Sequence, residues 1–257
     1  QSPAGFFTGS IDEVAVWDTA LSSNQVKTLY NNREPFNAKN IALSNLKGYW
    51  RMGDGTLDAH PLITDETNAT IGSELIGDGN AESGTAFPSW EGAGTETNHS
   101  YNSTVSNSTD FANGGSKSFK VINDGGGDGM NIGHTLNESS LAGDVYKITC
   151  DVYIPTTNGV DTDVKLRFLE GVGGGETQIV PDSGTNIASA STRDAWQSLI
   201  MYGIYIAGSN AQVWNMITAD TGASEIFYFD NLSIKKVNGN AGLMTSMTAS
   251  DIVTDTH

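Results

Sequence analysis

Apolar and polar residues alternate over much of the second half of the chain, with the period of two that is typical of β-strands. The predicted strands cover residues 114–122, 130–136, 144–155, 163–171, 195–207, 211–217 and 225–237. Turn dipeptides such as Asn113-Gly114, Asn158-Gly159 and Asn238-Gly239 lie between or beside them. The pattern predicts an all-β sandwich or jelly roll. The Asn-, Ser- and Thr-rich stretch that ends at Asn113 is expected to be a mobile connection.

The first residues follow a different plan. Ile11, Val14, Val16 and Trp17 predict one alternating strand. Ser22 and Gln25, three residues apart, predict the capping box of a short helix. A single strand and a short helix cannot bury their own apolar faces, so we expect this chain to be the C-terminal portion of a longer polypeptide.

Composition narrows the classes of function. The 257 residues contain 13 Lys and Arg against 30 Asp and Glu, a net charge of −17. Nucleic-acid binding depends on clustered basic residues, so we expect no nucleic-acid partner. No apolar run approaches the ~20 residues of a membrane span, so we expect no membrane insertion. Cys150 is the only cysteine and alternates with apolar neighbours, which predicts a core residue rather than a reactive thiol.

Two segments resemble parts of laminin-G-like, concanavalin-type sandwiches. The first is GSIDEVAVWDTALSSNQVKTLY, which begins at Gly9 and is similar to the closing segment of such domains. The second is LKGYWRMGDGTLDAHPLITDETN, from Leu46, whose usual continuation occurs only at the far end, in NGNAGLMTSMTASDIVTDTH. The resemblance implies that 1–72 and 239–257 belong to one sandwich and that 73–238 is an inserted module. Residues 46–71 and 239–257 are then expected to lie side by side.

The predicted insert resembles the jelly-roll carbohydrate-binding modules that accompany cellulases and xylanases. The matching features occur in the family's order, from ELIGDGNAESG near the start to FYFDNLSI at the end. Ala81 departs from the pattern, because a Phe is usual at its position. The resemblance covers about two-thirds of the chain and implies a jelly roll beside the closing strands and short helix of a concanavalin-like sandwich.

The same resemblance implies a structural calcium ion that ties the first strand of the module to the last. Glu82 and Asp230 would supply carboxylates, with further oxygens near Asp78, Asn80 and Lys117. Calcium prefers six to eight hard oxygen ligands, which suits this set. The alternative is that Asp230 only caps a turn through backbone N–H groups.

Sugar binding requires exposed rings that stack on sugar C–H faces and polar side chains for the hydroxyls. Trp90 and Trp196 match core positions of the family, and we expect Trp17 and Trp50 to pack in the sandwich. The remaining candidates are Trp214, Tyr153, Tyr202, Tyr205 and Arg167. Tyr153 and Arg167 are expected on a sheet surface opposite the core, and the alternative is that all five are scattered surface or inter-domain contacts.

No catalytic motif is evident in the sequence. Concanavalin-type glycosidases use alternate carboxylates on one strand, whereas Asp12 and Glu13 are adjacent and point to opposite faces. The four histidines lack metal-ligand spacing, and no nucleophile elbow or phosphate loop occurs. We therefore expect a protein that is not an enzyme.

Three hypotheses of function follow. Laminin-G-like sandwiches with a GYWRMGDG segment resemble structural proteins of tailed bacteriophages, which implies a virion fibre, spike or capsid decoration. Such a protein would display a glycan-binding jelly roll on the virion surface, with host surface glycans, other virion proteins or copies of itself as partners. The second hypothesis is the carbohydrate-binding region of a secreted or cell-surface bacterial protein. The third is a purely structural spacer or oligomer contact.

Overall fold

The computed structural model of this chain describes residues 9–34, 36–91, 96–125, 129–136, 143–158, 163–170, 177–178, 185–204, 211–218, 222–244 and 248–252. The chain folds as two compact units. Residues 1–70 and 238–257 form one, here called the discontinuous unit, and residues 71–237 form the other, the jelly-roll unit.

The strands follow in chain order: β1 (Val14–Trp17), β2 (Leu46–Trp50), β3 (Leu62–Ile63), β4 (Thr70–Glu74), β5 (Ile76–Gly77), β6 (Ser89–Trp90), β7 (Glu96–Tyr101), β8 (Ser103–Ser108), β9 (Ser118–Asn123), β10 (Asn131–Leu136), β11 (Val145–Tyr153), β12 (Val164–Glu170), β13 (Thr177–Gln178), β14 (Ile187–Ala188), β15 (Trp196–Ile204), β16 (Ala211–Thr218), β17 (Ile226–Asn238) and β18 (Gly242–Leu243). Helix α1 covers Ser23–Tyr30, and short 3-10 helices cover Asn31–Arg33, Ala38–Asn40, Leu43–Asn45 and Ala249–Asp251. None of the helices in the described ranges is long and apolar enough to cross a membrane.

The start of the discontinuous unit follows the sequence closely, with one correction. The predicted capping box is present, since Ser22 Oγ accepts the Gln25 N–H and Gln25 Oε1 accepts the Ser22 N–H. The predicted strand, however, begins only at Val14, and Ile11 is exposed outside it. The reason is Glu13, whose φ of 51° is left-handed and interrupts the extended backbone.

The two segments 46–71 and 239–252 meet within the discontinuous unit. Strand β18 pairs antiparallel with β3, and the Met244 N–H donates to the Pro61 carbonyl at 2.8 Å. The Trp50 indole N–H donates to the Asn240 carbonyl at 3.0 Å. The assignment of this unit to a laminin-G-like sandwich stays a prediction.

Most of the described strands of the jelly-roll unit form two six-stranded sheets, and β5 pairs with β6 in a separate two-stranded sheet. The β11 sheet has the order β15-β11-β17-β9-β8, with β4 also paired to β17. The β12 sheet has the order β13-β12-β16-β10-β7, with β14 also paired to β12. Alternate residues of both sheets, such as Ile148, Cys150 and Leu166, form one buried core. Cys150 is buried in this core, which confirms its predicted packing role, and burial raises the pKa of its thiol.

The all-β prediction is confirmed, and the seven predicted strands correspond to β9, β10, β11, β12, β15, β16 and β17. The expectation of a mobile stretch before Asn113 is wrong, because β7 and β8 lie there as the edge strands of the two sheets. Serine and asparagine have weak strand preference, so these strands depend on their ladders with β10 and β9.

The two ends of the jelly-roll unit are joined by hydrogen bonds. The Leu75 N–H donates to the Ile234 carbonyl at 2.9 Å, and the Ile234 N–H donates to the Glu74 carboxylate at 2.8 Å. A little further on, the Leu232 N–H donates to the Gly79 carbonyl at 2.9 Å. The first turn of the unit therefore lies against its last strand.

Candidate functional site

The outer face of the β12 sheet carries the polar candidates. Val164, Leu166 and Phe168 point into the core, so Lys165 and Arg167, which alternate with them, lie on the opposite face. Both side chains are partly buried and have partners within the chain. The sheet surface opposite the core is where the sequence predicted Arg167.

Antiparallel register extends this face into rows across the sheet. One row joins Lys165 to Ile217, Asn131 and Tyr101 in successive strands. The next row joins Arg167 to Asn215, Gly133 and His99. Gly133 leaves the middle of the second row without a side chain.

Tyr101 is the ring that sequence reasoning missed on this face. It lies at the end of β7, on the row of Lys165, and 56% of its surface is exposed. Its neighbours Ser100 and Asn102 are polar, so no alternation of apolar residues marks a strand at this position. Tyr101 could have been named as a candidate only after a strand had been assigned there. The face therefore combines an exposed aromatic ring with the basic side chains of Lys165 and Arg167.

Tyr153 occupies the predicted face of its strand but is not an exposed platform. It shares the outer face of the β11 sheet with Lys147 and Asp151, yet only 7% of its surface is exposed. Phe111 stacks on it with a centroid separation of 4.3 Å, and Trp196 and Tyr228 lie beside it at 5.5 and 6.1 Å. The expectation of a free Tyr153 ring is wrong, because the residues around Phe111 fold back over this face.

Trp196 also differs from its expected position. It pairs with Tyr153 across β15 and β11, which places it on the outer face and not in the core between the sheets. Its ring is half-buried within the cluster of Phe111, Tyr153 and Tyr228. Its role is still packing, as predicted, but on the other side of the sheet.

The other aromatic candidates have mixed outcomes. Tyr202 is 3% exposed, so it cannot act as a surface ring in this conformation, and its burial raises the pKa of its hydroxyl. Tyr205 lies outside the described residues. Trp214 lies in β16 with its backbone paired to His134, and its side chain is outside the description. Trp90 lies in β6, and its side chain is likewise outside the description.

The predicted ligand-binding set is thus divided between two sheets. Arg167 belongs to the β12 sheet, whereas Tyr153 and Tyr202 belong to the β11 sheet. The two outer faces point in opposite directions on either side of the core, so Tyr153 and Arg167 cannot bind one ligand together. Strand alternation predicts the face of a residue, but not the sheet to which its strand belongs.

The proposed calcium ligands surround the junction of the first turn and the last strand. Glu82 Oε1 accepts the N–H groups of Ser116 and Lys117 at 2.7 and 2.8 Å, and its Oε2 accepts the Ser116 hydroxyl. The Lys117 ammonium donates to the Glu82 carbonyl at 3.3 Å. The Ser116 hydroxyl and the nearby amide donors lower the pKa of Glu82.

Asp230 lies almost fully buried at the same junction. Its carboxylate accepts the N–H groups of Asn113 and Asn231 at 2.8 and 2.7 Å, so the turn-capping contacts of the alternative interpretation are present. Burial raises the pKa of Asp230, and the negative charges of Asp151 and Glu82 raise it further. A cation beside this carboxylate would favour its charged form.

Asp78 and Asn80 are directed elsewhere. Asp78 accepts the Ser83 N–H and the Thr85 hydroxyl at 2.7 and 2.6 Å, and the Asn80 side chain faces the Glu82 N–H. Within the described ranges, no three His, Cys, Asp or Glu side chains are close enough together to hold a metal ion. Glu82 and Asp230 carry the carboxylate oxygens that calcium prefers, and both carboxylates accept hydrogen bonds from backbone N–H groups.

Similarity to known proteins is limited to structure. No protein-family model matches this chain, and no curated protein matches it. The solved structures similar to it include a family 16 carbohydrate-binding module, at 18% identity over 62% of this chain and 98% of that chain, with a TM-score of 0.38. They also include the CBM22-1 xylan-binding domain from Paenibacillus barcinonensis Xyn10C, at 18% identity over 67% and 99% of the two chains, with a TM-score of 0.43.

A viral protein is similar as well. The enzymatically active domain of tailspike protein 4 of bacteriophage CBA120 matches at 14% identity over 66% of this chain and 21% of that chain, with a TM-score of 0.39. At these identities and TM-scores the likeness concerns the fold alone.

Proposed function

We propose that the jelly-roll unit is a non-catalytic glycan-binding module of a virion structural or adhesion protein, with the site on the outer face of the β12 sheet. The observation that carries the proposal is the row in which exposed Tyr101 lies on the same face as Lys165, next to the row of Arg167. This arrangement replaces the single sheet surface on which the sequence placed Tyr153 and Arg167 together.

The chemistry of the face suits a sugar chain. The Tyr101 ring can stack on the C–H face of a pyranose, which contributes roughly 1 kcal/mol beyond area burial. The Arg167 and Lys165 cations donate hydrogen bonds to hydroxyl or carboxylate oxygens, and the charge-assisted bonds are the stronger ones. The two rows run across the strands, so successive sugar units can lie along the sheet.

A role on the virion would compensate for the weak binding of a single site. One stacked ring and a few hydrogen bonds bind weakly, whereas many copies on one particle raise the effective affinity. A fibre, spike or capsid decoration on an extracellular virion would present such copies to the surface glycans of a host cell. The alternative of a secreted or cell-surface bacterial protein uses the same site and differs in gene neighbourhood, because virion genes cluster.

We propose calcium as a structural ion for the same unit, held by Glu82 and Asp230. It would favour the charged form of Asp230, whose pKa is raised by burial and by the nearby negative charges of Asp151 and Glu82. Its part is to fix the first turn on the last strand, and it takes no part in binding the glycan.

The test is an array of bacterial surface polysaccharides probed with the whole protein, followed by titration of any retained glycan. We expect Tyr101→Ala and Arg167→Ala each to weaken binding by about tenfold, the loss of one stacking or charge-assisted contact. Lys147→Ala, on the outer face of the β11 sheet, is the matched control and should bind as the wild type does. If a glycan is retained and neither substitution weakens its binding, the site lies elsewhere on the protein. If the array retains no protein at all, the spacer hypothesis is favoured.

A further inference from the structure

Strand β1 pairs along one edge only in the part of the chain that the structure describes. It pairs with β2 along one side, and in the part of the chain that the structure describes no strand pairs with its other side. The single irregularity of the pair is an extra residue in β2, Lys47, so β1 itself has no inserted residue. An open edge offers a row of N–H and C=O groups to another strand.

The side chains of β1 do not protect this edge. Its sequence, Val-Ala-Val-Trp, contains neither Lys nor Pro, the residues with which proteins usually block edge strands. None of its four residues is buried, and Val16 is 50% exposed. The strand therefore combines an open backbone edge with uncovered apolar surface.

A cavity adjoins the Ala15 and Trp17 face of β1. Its volume is about 380 Å³, and its apolar lining consists of Ala15, Trp17, Leu29, Phe36 and Ala38. Alternate side chains of an added strand point to one face of the sheet, and one of its two faces is the Ala15 and Trp17 face that carries the cavity. Backbone pairing gives affinity and such cavities give specificity when peptides bind by strand addition.

The surrounding charges select the partner. Asp12, Glu13 and Glu34 line the cavity, and Asp18 follows β1 directly. Arg51 is 3.0 Å from Glu13 and Lys47 is 3.0 Å from Asp18, whereas the ion pairs of the described residues do not include Asp12 or Glu34. Negative charge therefore remains at the N-terminal end of the strand.

The same charges disfavour a second copy of this chain. Antiparallel pairing of two β1 strands would bring Asp12 of one copy close to Asp18 of the other, and like charges across a strand pair are destabilising. Lys47 offsets the charge of Asp18 only in part, because both side chains of that ion pair are about half exposed. Each copy also carries a net charge of −17. A partner with basic residues avoids both the repulsion across the strand pair and the repulsion between two acidic chains.

We propose that the open edge of β1 is a docking site for an extended segment of a partner protein, apolar at alternate positions and carrying Lys or Arg at its ends. The added strand pairs with β1, places alternate apolar side chains at the cavity, and sets a basic end against Asp12 and Glu34.

The probe is a short fluorescent peptide of alternating Val and Thr with Lys at both ends, measured by fluorescence anisotropy against the whole protein. Two matched peptides accompany it, one with Glu at both ends and one with Pro in place of the central Val. We expect the Lys-ended peptide to bind at least about tenfold more tightly than either, because the first control inverts the charge and the second cannot complete the ladder.

Substitutions in the protein test whether the peptide binds at β1. Val16→Lys should weaken binding of the Lys-ended peptide by at least about tenfold, while Val26→Lys on α1, an equally exposed valine, should leave it unchanged. Asp12→Asn should narrow the preference for Lys ends over Glu ends. Circular dichroism of each variant confirms that it is folded. Equal binding of the three peptides, or none, overturns the proposal, as does a dimer of the whole protein that Val16→Lys dissociates.

Discussion

The rings of Phe111 and Tyr153 stack 4.3 Å apart on the outer face of the β11 sheet, on the side away from the core. The segment that carries Phe111 is also held by Asn113, whose N–H and side-chain amide donate to Asp230 and Asp151, each at 2.8 Å. Lys120 and the Tyr228 hydroxyl both bind Asp110, at 2.8 and 3.1 Å. The outer face of this sheet thus has a small aromatic cluster of its own, closed by residues 110–113.

Phe111→Ala is expected to destabilise the jelly-roll unit. The substitution removes a half-buried ring that packs on Tyr153 and Tyr228, and we expect a loss of about 2 kcal/mol in the free energy of unfolding. Chemical denaturation measures it. Tyr101→Ala removes an exposed ring and should cost less than about 0.5 kcal/mol. Equal effects of the two substitutions would contradict a packed cluster.

His134 is expected to make the free energy of unfolding depend on pH at values above those at which carboxylates titrate. It is fully buried beside Phe87, and burial lowers the pKa of His134 to about 4, although the bond to the Pro88 carbonyl opposes the shift. In the unfolded chain its pKa is about 6.5, so between these values only the unfolded state takes up the proton. Stability is therefore complete above pH 6.5 and is lost as the pH falls toward 4, by about 3 kcal/mol.

The measurement is the free energy of unfolding of wild type and His134→Gln at several pH values. Glutamine does not titrate, so its variant should lack the loss between pH 6.5 and 4 even if it is less stable throughout. Parallel curves for the two proteins would show that another group is responsible.

Calcium is expected to stabilise the jelly-roll unit through Glu82 and Asp230. A ligand that binds only the folded state raises its stability by about 2.7 kcal/mol at a hundred times its dissociation constant. Calcium should therefore raise the melting temperature and a chelator should lower it. Asp230→Asn should abolish the response, whereas Asp194→Asn, at an exposed carboxylate that binds Thr156, should keep it. A melting temperature that calcium and chelator leave unchanged would refute the site.

The sequence predicts the strands of the core well because their alternation is strong. Ile148, Cys150 and Val152 alternate with polar residues and lie in the core as expected. Strands β7 and β8 lack that contrast, since Ser, Thr and Asn make up most of their residues. What identifies them is pairing with β10 and β9, a long-range property that local periodicity does not contain.

The candidate site shows the same limit. Alternation correctly puts Tyr153 on the polar face of β11, but its burial depends on Phe111, 42 residues earlier in the chain. Arg167 is likewise on the predicted face of its strand, although the topology assigns that strand to the other sheet. Local pattern therefore gave the orientation of both side chains, and the arrangement of distant strands decided which of them could share a ligand.

The hydrogen bonds of Glu74 and Leu75 to Ile234 hold the first and last strands of the jelly-roll unit side by side, an arrangement that bears on how the chain evolved. A unit whose entry and exit are adjacent can be gained, lost or exchanged as one cassette, because the host polypeptide needs to open only a single loop to receive it. Under the proposed function, replacement of residues 71–237 would change the glycan that is bound without redesign of the sequence on either side.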